Sequence, residues 1–209
     1  MTESITKPKS RDRLLAAAID VIRQKGYSAT RIEDICAVAG VTKGSFFHHF
    51  ATKDDLALAA TTAWNEMAEA HFAASGTRDL PDPRDRLLAY VAMRKSILTG
   101  DVWGTTCLLG TMLQDTYLTH PDLGMACAAG IDLHIATLIP DADAAIAKYG
   151  RTGDWTGQSL ADHIQAAVQG ALLLAKADGN FDRALSSFDH LYNYVALVFH
   201  KPIAEEVTS

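Results

Sequence analysis

The sequence is short of the residues that mark extracellular, metal-bound or membrane-spanning proteins. It has three cysteines, Cys36, Cys107 and Cys127, an odd number with no Cys-x-x-Cys pair, so neither a disulfide framework nor a zinc site is expected. No apolar run approaches the roughly 18 to 20 uninterrupted residues of a membrane span, and the opening MTESITKPKS lacks the apolar core of a secretory signal. A cytoplasmic protein without a membrane partner is therefore expected. The GxxxxGK(S/T), GxSxG and HExxH signatures are all missing, and His71 and His134 fall outside any helical HxxxH spacing. These absences point away from an enzyme and away from any metal or other cofactor. Stretches of strict apolar and polar alternation bounded by hairpin turns are missing too, which excludes a β-rich fold.

What the chain does have is length, apolar content and helical period. With 209 residues and 48% hydrophobic side chains it can bury a real core, and one compact body with a small appended module fits that length. The net charge of −6 is unevenly spread. Residues 1–53 carry nine Lys/Arg against five Asp/Glu, a net of +4, which leaves −10 for the remainder. Phosphate attraction is local, screened beyond a Debye length of about 8 Å at physiological salt, so the basic head matters more than the acidic total. Residues 1–9 read as a flexible arm. From Ser10 the set Leu14, Leu15, Ala18, Val21 and Ile22 lines one helical face, and Gly26 is a plausible stop.

Residues 30–50 hold two unusually short helices. Thr30 and Glu33 form a Thr-x-x-Glu capping pattern for a helix running to Ala39. Gly40 supplies the freedom for a tight turn, Val41 plugs the angle, and Thr42 caps a second helix from Lys43 to His49. Two helices joined by a glycine-containing turn of three or four residues are the helix-turn-helix signature. The helical period places Ile32, Ile35, Cys36 and either Val38 or Ala39 inward on the first helix, with Val41, Phe46 and Phe50 closing the core. It leaves Lys43, Gly44, Ser45, Phe47, His48 and His49 outward, where they suit a DNA backbone and base edges. Lys43 and Ser45 are the candidate base-edge contacts, Gly44 allows close approach, and His48, His49 and Lys53 are candidate phosphate contacts. Arg31 and Thr42 complete the candidate DNA set. Thr52 and Asp55 repeat the capping pattern and start the next helix.

The run from about residue 11 to residue 60 resembles the DNA-binding domain of the tetracycline-repressor (TetR) family. The resemblance rests on Gly26-Tyr27, on Thr30, on the stretch from Ile35 through the Ala39-Gly40-Val41-Thr42-Lys43-Gly44-Ser45 turn, on Phe46 to Phe50, and on Lys53 to Leu56. It implies an all-α fold of about nine helices: a three-helix head with the helix-turn-helix, residues 10–52, and a larger helical effector-binding and dimerisation domain, residues 53–209. It also implies a homodimer on double-stranded operator DNA, acting as a repressor released by a small-molecule effector. One departure is Phe47, where such proteins usually carry tyrosine; a thymine methyl or sugar is a candidate partner for the bare ring.

Beyond the head, a helix from Asp54 to about Ala74 is expected, and Asp82-Pro83 signals the start of another that ends near Gly100. Pro121 opens a further helix that Pro140 ends or kinks, and residues 150–157, with three glycines, form a loop. The last two helices, from Ser159 to Asp178 and from Phe181 to His200, form a hairpin that the resemblance makes the dimer interface. Ala166, Gly170 and Leu174 offer a small-residue surface, and Phe188, Leu191, Tyr194, Val195 and Val198 an apolar stripe. The same stripe also suits packing on its own body. Trp64, Met67, His71, Trp103, Cys107, Met112, Tyr117, Met125 and His134 have the mixture found in small-molecule pockets, for an effector mostly apolar or aromatic. Two alternatives stay open: Cys107 as a thiol that senses oxidants or electrophiles, since some TetR-type repressors carry one in this region, and a helical adapter without specific DNA binding.

Overall fold

The computed structural model describes residues 9–150 and 154–200; the expected arm over 1–8 and the centre of the 150–157 loop lie outside the described residues. Eleven α-helices and one short 3-10 turn are found there, with no strand among the described residues. They are α1 Ser10–Lys25, α2 Ile32–Ala39, α3 Lys43–His49, α4 Lys53–Ala74, α5 Pro83–Ser96, α6 Val102–Thr105, α7 Leu108–Thr116, α8 Pro121–Ala136, α9 Ile139–Tyr149, α10 Gly157–Asp178 and α11 Asp182–Val198. The excess over nine helices comes from breaks. Residues 106–107 separate α6 from α7, and Thr137-Leu138 separates α8 from α9, with Pro140 in the first turn of α9, where its missing N–H costs nothing.

The chain folds as two compact units. The first takes the described residues up to His71 together with Trp103–Leu133; the second takes Phe72–Val102 and the described residues from His134 onward. The first unit therefore includes α6, α7 and most of α8 as well as the segment 10–52. Its core joins Leu14, Ala18 and Ile22 of α1 to Ile35, Phe46, Leu56 and Ala60, and to Leu108, Met112, Leu123 and Cys127 from the later helices. Gly130 sits where α8 meets its neighbours. A Cβ there would lie 2.6 Å from Asn65 Nδ2 and 2.7 Å from Leu109 Cδ1, so both side-chain ends would have to move aside to admit one.

The second unit is built on α5, α9, α10 and α11. Leu87 and Val91, Ala142 and Ala145, Leu160, Ile164 and Val168, and Phe188 and Val195 supply the buried faces. Polar clasps fix their ends. Asp82 caps α5 by accepting from Arg84 N at 2.9 Å, as its place before Pro83 predicts, and its other oxygen accepts from Lys148 Nζ at 2.7 Å and Tyr149 Oη at 2.8 Å. The Lys148 bond above all, with those from Tyr149 and the backbone, holds the Asp82 carboxyl down at about 2. Asp143 accepts from Gly157 N at 2.7 Å and so satisfies a free donor at the start of α10.

The stretch Pro121–Tyr149 is long and apolar enough by composition to cross a membrane, with a mean hydropathy of 1.5. It is nevertheless two helices of 16 and 11 residues, each short of the roughly 20 a span requires.

Candidate nucleic-acid interface

Of the short helices of residues 30–50, α3 has both bounds expected from the sequence and α2 the expected end, and their caps explain why. Thr42 Oγ1 accepts from Ser45 N at 3.2 Å, and Gly40, at φ +61°, adopts the left-handed turn that L side chains avoid. Thr52 and Asp55 form the reciprocal capping box at the start of α4, with both bonds at 3.0 Å. The expected box at Thr30 is displaced by one residue. Arg31 is the N-cap of α2, and Asp34, not Glu33, accepts from Arg31 N at 3.1 Å. The Thr30 hydroxyl is instead turned inward and donates to Gly26 O at 2.6 Å, which ties the α1–α2 turn together.

Helices of seven or eight residues are unstable alone, so side chains from elsewhere hold this pair. Phe46 and Phe50 bury against α1, and Arg13 of α1 donates from Nη1 to Ala39 O at 3.0 Å and Gly40 O at 3.2 Å, covering the open carbonyls at the end of α2. Ser10 and His49 meet at 2.8 Å through Oγ and Nε2, so the first residue of α1 pins the last residue of α3. Lys53 Nζ reaches across the turn to Tyr27 O and Thr30 O, both at 3.0 Å, and lies 4.0 Å from the centre of the Tyr27 ring. Burial lowers the Lys53 pKa, opposed by Asp54 and Asp115. The Tyr27 hydroxyl donates to Asp54, and burial first, then that bond, raises its pKa.

The expected DNA-contact residues therefore divide. Lys43, Gly44, Phe47 and His48 face outward on α3, with Phe47 55% exposed, and Arg31 and Thr42 are exposed at the two helix starts. Ser45 is half-buried against its own cap. His49 and Lys53 already hold protein partners, and their first task is to brace α3 and the α1–α2 turn. Of the alternatives weighed for the first helix, Ala39 packs inward and Val38 is exposed. A Cβ on Gly44 would meet only Thr42 Oγ1, at 3.7 Å, so the protein itself does not demand glycine there. Lys43 pairs with Glu33 of α2, a contact the sequence reading did not include.

The segment that builds this surface is also the one that matches known proteins. A profile described as "Bacterial regulatory proteins, tetR family" matches residues 14–60. The regulator CymR of Pseudomonas putida is 43% identical over 63 residues, which are 30% of each chain. The repressor NemR of Escherichia coli strain K12 is 26% identical over 202 residues, covering 91% of this chain and 96% of that one. Residues 14–60 thus carry the DNA-binding segment of the tetR family of bacterial regulatory proteins. The protein is a DNA-binding transcriptional regulator and not an enzyme. A tetR-family regulator from Agrobacterium tumefaciens superposes with a TM-score of 0.78 at 23% identity, over 88% of this chain and 96% of its own, and shows that the fold is shared.

The other residues expected to serve function do not come together as one site. In the first unit Trp64 and Cys107 pack on the core, and Arg23 gathers them. Its guanidinium lies 4.8 Å from the centre of the Trp64 ring and donates to Thr106 O at 2.7 Å and to Gly104 O, one residue from Trp103. Met112 is wholly core, while Met67, His71, Tyr117 and Met125 are exposed. His134 belongs to the second unit, where it meets the Tyr90 hydroxyl at 2.8 Å and stacks on Phe72 with ring centres 4.7 Å apart. A cleft in that unit, lined by Phe72, Thr77, Arg86, Leu87, Tyr90 and Asp141 among others, has a volume of about 20 Å³, room for one water. Among the described residues, no group of three or more His, Cys, Asp and Glu lies close enough to hold a metal ion.

Cys107 is the N-cap of α7, its Sγ accepting from Gly110 N at 3.5 Å, and burial together with the neighbouring Cys107 pushes Cys127 up to about 12. On the expected dimer hairpin, Ala166 and Gly170 are exposed and Leu174, Tyr194 and Val198 half-buried. Phe188, Leu191 and Val195 face the interior of their own unit, Phe188 being 1% exposed. Leu173 and Leu197, which the sequence reading passed over, are 54% and 70% exposed.

Proposed function

We propose that the protein is a homodimeric repressor that binds operator DNA through the outer face of α3 and is released by a small, mostly apolar or aromatic effector. The observation that carries the reading is α3 itself: a seven-residue helix, braced from behind by Ser10, Arg13 and Phe46, with Lys43, Gly44, Phe47 and His48 turned outward. One such helix buries too little surface for operator-level affinity, so two copies are needed. The exposed row Ala166, Gly170 and Leu173 on α10 is the proposed contact between them. The site of action is the cytoplasm, where operator DNA lies.

The effector is assigned to the first unit, around Trp64, Trp103 and Cys107. There the route to DNA is short. Asp115, near the end of α7, accepts from Ser28 N at 2.7 Å and Ser28 Oγ at 2.9 Å, so a displacement of α6 and α7 would pull directly on the α1–α2 turn. An effector can shift DNA binding only by its differential affinity for two such arrangements, about 1.4 kcal/mol for each tenfold. Neither the thiol-sensing nor the adapter alternative is favoured, since Cys107 has a capping role and the head matches DNA-binding regulators.

The test is selection of sites from a random DNA pool with the purified protein, alongside sedimentation of the free protein. A palindromic site with half-sites about 34 Å or a multiple apart is expected. No enrichment above salt-sensitive background binding would overturn the reading.

A further inference from the structure

Resting on the proposal that α3 meets DNA, we propose that Glu33 is a specificity-tuning residue that holds the Lys43 ammonium and must be displaced before Lys43 can engage a cognate site. Two acids stand in the first turn of α2, and they are used differently. Asp34 is committed to the fold, accepting from Arg31 N and pairing with Lys25 at 3.2 Å. Glu33 reaches across to the next helix and pairs with Lys43, the first residue of α3. Both side chains of this pair are 56% exposed, so the contact lies on the surface and adds little to the fold.

A surface pair of this kind is weak enough to be exchanged. Binding to DNA of arbitrary sequence comes almost wholly from cations that neutralise phosphates and release counterions. With Glu33 alongside, Lys43 contributes little to that term, and the glutamate adds repulsion of its own. A cognate site offers more than charge, because a well-placed acceptor pair on a base edge gives Lys43 a partner fixed in geometry. The operator complex must break the Glu33 pair to use Lys43, whereas arbitrary DNA that leaves the pair intact forgoes only a weaker phosphate contact; Glu33 therefore subtracts more from the operator than from arbitrary DNA and narrows the ratio between them.

The experiment measures the affinity of the full-length protein for a random-sequence duplex and for a selected operator, across a range of salt, for the wild type and Glu33→Gln. Glutamine keeps the length and helix propensity of glutamate and removes only the charge. The expected result is operator binding about three- to fivefold tighter, a smaller gain on the random duplex with its salt slope steeper by up to about one, and an unchanged Tm. In a Lys43→Met background the same substitution should have at most a small residual effect, which separates release of Lys43 from a general loss of negative charge. Glu66→Gln on α4 is the equal-charge control. Equal gains on both duplexes, the full gain persisting without Lys43, or no gain at all would each overturn the inference. Failure of the wild type to select any operator would instead overturn the reading on which it rests.

Discussion

Two helix pairs in this protein, α2–α3 and α10–α11, are joined by glycine-containing turns and have opposite economies. The first has eight and seven residues and cannot stabilise itself, so it is held by single polar reaches from α1 and α4, through Ser10, Arg13 and Lys53. The second has 22 and 17 residues and is held by burial of Leu160, Ile164, Val168, Phe188 and Val195. Polar bracing leaves the outer face of the short pair free for charge and shape. Burial consumes most of the apolar stripe of the long pair and leaves only its outer row to a second subunit.

The sharpest way to break this comparison is Phe188→Ala. If the stripe is core, truncation should cost about 3–5 kcal/mol of stability of the subunit itself. Chemical denaturation should show a large fall in midpoint at any protein concentration. A loss that disappears on raising the concentration would place Phe188 in the subunit contact instead. The next largest effect belongs to Lys53→Met. As a brace spanning two carbonyls, Lys53 should be worth about 1.5–3 kcal/mol, the range for hydrogen bonds from a charged group. A residue that only touched phosphate would leave stability unchanged and lower the salt slope by about one, so thermal melts and salt titrations together decide its role.

What the sequence made legible follows the same division. The end of α2 and both bounds of α3 were readable because their signals are local: Gly40, the Thr42 cap, and apolar residues at helical spacing. The braces were not, because they join residues far apart in the chain, 39 positions for Ser10 and His49, 26 for Arg13 and Ala39, and 87 for Ser28 and Asp115. No local pattern tells a lysine that reaches inward, such as Lys53, from one that reaches out. The one-residue displacement at Thr30 has the same origin, since its hydroxyl was drawn to Gly26 O. In the second unit, periodicity identified the apolar stripe of α11, but it cannot say whether a chain's own helices or another subunit cover it. The effector residues scattered for a related reason: aromatic and methionine content reports apolar surroundings, and Met112 in the core and Met125 on the surface look alike in sequence.

The clasp at Asp82 sharpens the comparison through pH, since it sits among the buried faces of the second unit yet is polar. Its carboxyl is held at about 2 by Lys148, Tyr149 and the Arg84 backbone, below its value in an unfolded chain. A lowered folded-state pKa contributes stability that is complete above about pH 4 and is lost as pH falls towards 2. Asp82→Asn keeps a cap-forming side chain and removes the charge. It should cost about 1 kcal/mol at pH 7 and progressively less below pH 4, read from urea midpoints of both proteins across pH. A constant difference at all pH values would assign the effect to the cap alone.

The smallest effect on the fold is expected from Leu173→Glu, and for that reason it isolates the subunit contact. Leu173 is 54% exposed and continues the row of Ala166 and Gly170, where a Cβ on Gly170 would meet nothing within 4 Å. A charge there leaves the unit's own packing untouched, so stability of the separated subunit should change by no more than about 0.5 kcal/mol. If two copies meet along this row, the glutamates would be brought together without partners, and sedimentation should show monomers at concentrations where the wild type is paired. Operator affinity should then fall steeply while weak binding to random DNA persists, because each head keeps its own charges and loses only its partner. A variant that stays paired would move the contact off α10, and the exposed Leu197 of α11 would be the next residue to change.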